Sequence, residues 1–170
     1  TPQVSEDLRF EVPERLDVQG EVVEELTDEA IEALADAVAE SGAEVVAVSL
    51  LHAYANPVHE LKLGEKLKSI VPYVALSHLV NPESREYERT GTTALSAGVM
   101  PIANTYLEKL EAECPDSSRL HMFHSAGGMA APETLTDTPL GLAFSGPAAG
   151  VSAAASVAAQ LGLAQAISFD

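Results

Sequence analysis

Glu44-Val-Val-Ala-Val-Ser-Leu-Leu51 is a near-continuous apolar run, and Asn56-Pro57 follows it closely. An apolar run without alternation is what a strand buried on both faces presents. Asn then Pro is a helix start, because Asn can cap and proline's missing N–H would have had no partner in the first turn. Leu63, Leu67 and Ile70 supply that helix with a buried side. The order then repeats, with Tyr73 to Val80 reading as a strand and Asn81-Pro82 as the start of another helix. Two successive strand–Asn-Pro–helix units predict an α/β fold of mostly parallel strands with flanking helices.

On the N-terminal side, Leu8 to Val12 alternates weakly and reads as a short strand, with Pro13 and Gly20 marking turns. Thr27 is placed to cap a helix whose apolar positions are Ile31, Leu34, Ala35 and Val38, and Gly42 ends it. Asp28, Glu32, Asp36 and Glu40 recur four apart, which predicts a water-facing edge because like charges at that spacing repel. On the C-terminal side, Val99 to Leu110 marks a helix starting at or kinked by Pro101. Arg119 to Ser125 reads as a strand leading into Gly127-Gly128, Ser145 to Gly162 as an alanine-rich helix with Val151, Ala154, Ala155, Ala158 and Leu161 on one side, and Ala166 to Phe169 as a last strand. That strand runs straight into Asp170 with no helix after it to cover it, so the 170 residues are expected to be an excised segment: about 1–118 as two βα units plus helices, and about 119–170 as part of a second subdomain.

Composition excludes several classes. Acids outnumber bases 26 to 9, and the formal net charge is -17. A surface that negative repels nucleic acid and anionic lipid, so neither is expected as a partner. No uncharged apolar run reaches the roughly 18 residues that a membrane span needs. Residues 1–10, TPQVSEDLRF, place charged and polar groups where a signal peptide would be apolar, and the single cysteine, Cys114, cannot form an internal disulfide; a cytoplasmic location is expected. Thirteen of the acids fall in residues 1–40, a solvated face, an acidic partner-binding tail or an adaptation to a salty cytoplasm. After Leu120 only Glu133, Asp137 and Asp170 are charged, and so apolar a stretch is expected to be buried against something or to form a docking surface.

Few residues carry chemistry on their own. Neither a Walker A loop nor a G-x-G-x-x-G fingerprint is present. Gly127-Gly128 either brings backbone N–H groups to an anion or is an ordinary turn. Ser145-Gly146-Pro147 opens a helix whose positive end could hold phosphate, with Gly146 and Gly150 admitting a neighbouring backbone; otherwise Ser145 is simply a cap. The five histidines form no metal signature, although His52 and His59 could meet across the first Asn-Pro turn. In Arg85-Glu-Tyr-Glu-Arg89, two guanidiniums four apart could grip a carboxylate or imide carbonyl, with Glu88 beside them, or could pair with Glu86 and Glu88 as ordinary salt bridges.

Three stretches, taken in order, carry a family resemblance: Leu51-His-Ala-Tyr-Ala-Asn-Pro-Val-His-Glu60, Ser77-His-Leu-Val-Asn-Pro-Glu-Ser-Arg-Glu-Tyr-Glu-Arg-Thr-Gly-Thr-Thr93 and Phe144-Ser-Gly-Pro-Ala-Ala-Gly-Val151. From about Arg9 to Asp170 the chain resembles the hydantoinase A/5-oxoprolinase family, ATP-dependent enzymes that open cyclic amides, together with the related subunits of acetone and acetophenone carboxylases. The resemblance implies an actin-like (ribonuclease H-like) ATPase fold, with ATP and Mg2+ as cofactors of the parent enzyme and none held by the segment alone. In the parent, ATP would phosphorylate or polarise the ring amide oxygen so that water can open it. Of the two phosphate loops typical of the family, the first is absent and only Asp170 remains of the second. The implied site is Asp170 as the catalytic residue, Gly127, Gly128, Ser145 and Gly146 on the phosphate side, and Arg85, Glu88 and Arg89 at the substrate or an interdomain contact. Implied partners are the flanking segments of the parent and a hydantoinase B-type subunit. The remaining alternatives are a carboxylase subunit and a non-catalytic scaffold.

Overall fold

Val45–Val48 (β3) and Tyr73–Leu76 (β4) form a parallel ladder in unbroken register, Val45 opposite Tyr73 through Val48 opposite Leu76. The structure, a computed structural model, describes residues 3–115 and 118–169. Residues 1–101 and 102–170 form two compact units, the boundary falling inside a helix.

In the first unit, Arg15–Leu16 (β1) and Val22–Glu24 (β2) make an antiparallel pair. The turn between them is tied by Asp17, whose carboxylate accepts from the N–H groups of Gln19 and Glu21, and it uses Gly20 at φ 85°. Asp28–Ser41 (α1) starts where expected: the Thr27 hydroxyl accepts from Ala30 N–H at 3.2 Å, and Gly42 ends the helix at φ 68°. Ile31, Ala35 and Val38 are its buried face, and Asp28, Glu32, Asp36 and Glu40 are all exposed. Val58–Leu67 (α2) follows Asn56-Pro57; Asn56 Oδ1 accepts from Val58 N–H while its amide donates to Gly20 O, so one side chain ties the helix start to the β1–β2 turn. Leu26, Ile31, Val38, Val48, Leu63, Leu67, Val71, Val74 and Leu76 form the main core between these elements and the β3–β4 sheet.

Several expectations are corrected here. Leu8 to Val12 is not a strand; Glu6–Leu8 is a 3-10 turn, followed by extended chain without a strand partner among the described residues. β3 is shorter than the apolar run and not buried on both faces, since Ala47 is exposed. β4 ends at Leu76, and Ser77–Val80 turns into a short helix (α3) because the Ser77 hydroxyl and the His78 N–H are both drawn onto the Glu60 carboxylate. Asn81, extended as a residue before proline tends to be, ends α3, so Asn81-Pro82 stops one helix instead of starting another. The next helix, Glu86–Glu113 (α4), runs through Pro101 and merges two helices that the sequence pattern separates. Ala97 and Met100 of α4 pack with Ala75 in a second, smaller core.

In the second unit, Met122–Phe123 (β5) and Met129–Ala130 (β6) form a hairpin, followed by Pro132–Asp137 (α5), a 3-10 turn at Pro139–Leu142 and Ser145–Gln160 (α6). No residue of α6 is fully buried: on the predicted apolar side Ala154 and Ala158 are half-buried, and Val151, Ala155 and Leu161 are exposed. Ala166 to Phe169 is not a strand, and Ile167 and Phe169 are largely exposed. The expectation of mostly parallel strands also fails: of the three two-stranded sheets among the described residues, only β3–β4 is parallel. The fold is mixed α/β with few strands.

Candidate functional site

The carboxyl ends of β3 and β4 open into the loops 49–57 and 77–85, the place where open α/β sheets meet their ligands. A carboxylate and a guanidinium, both fully buried, organise that end of the sheet: Glu60 on the first turn of α2 and Arg89 on the first turn of α4. Glu60 shares its helix face with Leu63 and Leu67, which is why it points inward. Its Oε1 accepts from Leu50 N–H at 2.9 Å and from the Ser77 hydroxyl at 2.6 Å; its Oε2 accepts from His78 N–H at 3.0 Å and His78 Nδ1 at 2.7 Å. A carboxylate only accepts, so His78 carries its proton on Nδ1. Four donors on two oxygens offset the cost of burying the charge.

Arg89 completes the arrangement from the other side. Nε donates to Ser77 Oγ at 3.1 Å, one terminal nitrogen to Leu50 O at 2.6 Å and the other to Glu83 O at 2.9 Å. The guanidinium also lies 5.6 Å from the Tyr54 ring centre, within cation–π range. Leu50 is therefore held through its N–H by Glu60 and through its C=O by Arg89, and Ser77 through the same two side chains. These contacts fix where both loops leave the sheet. Around them sit Ser49 and Thr90, whose hydroxyls are 2.8 Å apart, and His52, held at φ 60° with its ring edge-on to Tyr54. A non-glycine residue in that left-handed region is costly and persists only where its surroundings over-determine it. The network is closed, so its chemistry is positioning.

A second buried ion-pair geometry lies nearby: His59 Nδ1 is 2.7 Å from Glu14 Oε2, and Leu26 N–H points at His59 Nε2. It ties β1 and the start of α1 to α2. His52 and His59 thus have different partners and are not paired with each other.

The sequence-predicted site residues fall out as follows. Arg85 and Arg89 do not act as a pair. Arg85 precedes α4, is largely exposed and approaches Glu88 at 3.7 Å, whereas Arg89 is consumed by the buried network. Glu88 is exposed. Gly127 and Gly128, at φ 91° and 85°, form the β5–β6 hairpin turn, and Gly127 N–H already donates to His124 O at 2.9 Å. Ser145 and Gly146 begin α6 after Phe144 at φ 58°, with no side-chain cap; a side chain added at Gly146 or Gly150 would meet open space, so neither glycine receives a neighbouring backbone among the described residues. Asp170 lies outside the described residues. Among the described residues no group of His, Cys, Asp and Glu could hold a metal ion, and no helix is long and apolar enough to cross a membrane. Glu60, Ser77 and His78 were not singled out by sequence reasoning; the available signal was a carboxylate on the same helix face as two leucines.

The signature of the hydantoinase/oxoprolinase N-terminal region matches residues 1–71, and that of hydantoinase/oxoprolinase matches residues 89–170. An uncharacterised protein of Methanocaldococcus jannaschii is 33% identical over 99% of this chain, and the acetophenone carboxylase gamma subunit of Aromatoleum aromaticum is 33% identical over 99%. The caprolactamase subunit alpha of Pseudomonas jessenii is 31% identical over 74% of the chain, and the crystal structure of ATP-dependent caprolactamase from that organism superposes on 94% of it with a TM-score of 0.78 at 30% identity. The chain spans 26%, 24% and 19% of the lengths of the Methanocaldococcus, Aromatoleum and Pseudomonas relatives and 24% of the caprolactamase structure. With both signatures matching in order along one chain, this protein belongs to the hydantoinase/oxoprolinase family.

Proposed function

We propose that these 170 residues are part of an ATP-dependent enzyme that opens cyclic amides, built on an actin-like ATPase fold. The supporting observation is the superposition on ATP-dependent caprolactamase over 94% of the chain. The first turn of α6 contains a proline and no cation, and the Gly127 N–H donates to His124 O, so the groups assigned to the phosphate side need the rest of the polypeptide to complete them. Nucleotide binding is accordingly assigned to the whole polypeptide.

Within that enzyme, the Glu60–Ser77–Arg89 network holds the loops at the carboxyl ends of β3 and β4 in one geometry. Exposed Arg85 and Glu88 are assigned to substrate or interdomain contact, Ser145 and Gly146 with Gly127 and Gly128 to the phosphate side, and Asp170 to positioning nucleotide or water. The alpha and gamma subunit names of two relatives support a partner subunit of hydantoinase B type.

A second reading, a carboxylase subunit, is favoured by the match to the acetophenone carboxylase gamma subunit over almost the whole chain. One assay separates them. The full-length polypeptide, with its partner subunit, is supplied with ATP and hydantoin, 5-oxoproline or caprolactam, or with a ketone and bicarbonate. Ring-opened product with ATP turnover is expected; turnover only with ketone and bicarbonate supports the second reading, and turnover with none of these overturns both.

A further inference from the structure

One residue closes the turn between β5 and β6 three times. His124 N–H donates to Gly128 O at 3.1 Å, its C=O accepts from Gly127 N–H at 2.9 Å, and its Nδ1 accepts from Ala126 N–H at 3.1 Å. The first two are main-chain bonds that any residue there could make. The third needs this side chain, and accepting at Nδ1 places the proton of the neutral ring on Nε2. A side chain that holds a main-chain N–H two residues on is the device by which Asn and Asp fix turns, here carried out by an imidazole.

The ring is also seated against a second segment. A Cβ at Gly141 would collide with Nε2 and Cδ2 of His124 and lie 3.2 Å from Leu135 Cδ2. Gly141 and Leu135 are both buried, so only glycine at 141 leaves the imidazole room to lie there. Beside it, Ser125 N–H donates to Gly141 O at 2.8 Å. Ring and main chain together therefore bind the hairpin turn to the 3-10 turn at Pro139–Leu142. That turn leads through Ala143 and Phe144, held at φ 58°, into Ser145 and α6. Residues 125–128 themselves are exposed.

We infer that His124 is a positioning residue: seated on Gly141, it holds the turn at 125–128 in one arrangement with the chain that enters α6. Gly127 and Gly128, and Ser145 and Gly146, are the two groups assigned above to the phosphate side of ATP, and the inference rests on that reading. His124 acts through the main chain of the turn and not by touching nucleotide. It orders the turn beforehand, so that ordering is not a cost when nucleotide binds.

The test uses the full-length polypeptide with its partner subunit. His124→Phe keeps a ring and removes the acceptor, whereas His124→Asn places Oδ1 where Nδ1 stood. Calorimetry with Mg2+ and a non-hydrolysable ATP analogue is expected to show Kd raised at least about fivefold by His124→Phe, what one hydrogen bond of ordinary net strength contributes. KM for ATP should rise with it, while KM for the cyclic amide stays within about twofold. Gly141→Ala, which displaces the ring, should act in the same direction, and His124→Asn should recover part of the loss. No recovery by His124→Asn would overturn the role given to Nδ1. Unchanged analogue affinity in His124→Phe would overturn the inference and leave the phosphate-side reading standing; a parent protein that binds no nucleotide would overturn both. If the variants fail to fold, hydrogen–deuterium exchange of the unmodified protein without nucleotide decides. The Ser125 and Ala126 amides should be slowed at least about tenfold, and exchange of either at the rate of an unstructured peptide would overturn the inference.

Discussion

Glu60 and Arg89, both fully buried, meet through a single atom: Ser77 Oγ donates to Glu60 Oε1 at 2.6 Å and accepts from Arg89 Nε at 3.1 Å. The same two side chains also grip the peptide group on either side of Leu50, one at its N–H and one at its C=O. Opposite charges are thus balanced across main-chain groups and one hydroxyl, and two loops and two helices are fixed together.

Removing either charge should therefore be severe. Arg89→Met leaves Glu60 without a buried counter-charge and the carbonyls of Leu50 and Glu83 without donors, and is expected to lower unfolding free energy by about 3 kcal/mol or more. Arg89→Lys should recover little, because an ammonium cannot reach three acceptors spread around a planar fork. Ser77→Ala should cost about 1–3 kcal/mol. Urea titration of the single and double variants checks the network itself: the double variant should lose less than the sum of the singles, and strict additivity would mean that the two residues are independent.

Two glycines separate packing from propensity. At Gly64 in α2 an added methyl would lie 2.8 Å from Leu76 Cδ1, inside the core, so Gly64→Ala should destabilise by about 1–3 kcal/mol. At Gly98 in α4 the same methyl meets open space, and Gly98→Ala should stabilise by up to about 1 kcal/mol. Thermal unfolding of both variants should move in opposite directions, and a fall for Gly98→Ala would show that this helix face is covered.

The start of α1 allows a comparison of cap against surface charge. The Thr27 hydroxyl holds Ala30 N–H, whereas Lys66 reaches the exposed carboxylate of Glu32. Thr27→Ala should cost about 1 kcal/mol and Lys66→Ala less than about 0.5, despite the shorter contact of the lysine, because solvent screens the ion pair and two long side chains must be ordered to make it. Chemical denaturation with and without 0.5 M salt, about five times the ionic strength at which the screening length is ~10 Å, distinguishes them; only the lysine effect should shrink.

Much of the first unit was legible because its signals are local. Thr27 and Gly42 bound α1 by capping chemistry alone, and Asn56-Pro57 marks the start of α2. What misled was identical local grammar with a different tertiary context. Asn81-Pro82 repeats Asn56-Pro57, yet Glu60, more than fifteen residues earlier, captures Ser77 and His78 and turns the chain into α3 first. The site was half legible for the same reason. Arg85 and Arg89 look equivalent by spacing, and only the fold shows that one is buried against Ser77 while the other faces water. In the second unit the apolar patterning of α6 predicts a buried side, but burial needs a partner surface, and the described residues cover that side only in part, at Ala154 and Ala158.

That difference between the two arginines yields a test of their assigned roles in the full-length enzyme. Arg85 is exposed and its guanidinium approaches Glu88 at 3.7 Å, a surface pair of little energetic weight, so Arg85→Ala should leave stability within about 0.5 kcal/mol of the parent. If Arg85 meets substrate or a neighbouring domain, the same variant should lower kcat/KM at least about tenfold, a loss of about 1.4 kcal/mol in transition-state stabilisation. Arg89 should behave in the reverse order, with folding lost before any kinetic effect can be read. Steady-state kinetics beside a thermal melt of Arg85→Ala decides the matter. Unchanged kinetics would remove Arg85 from the site and leave its pairing with Glu88 as an ordinary surface contact.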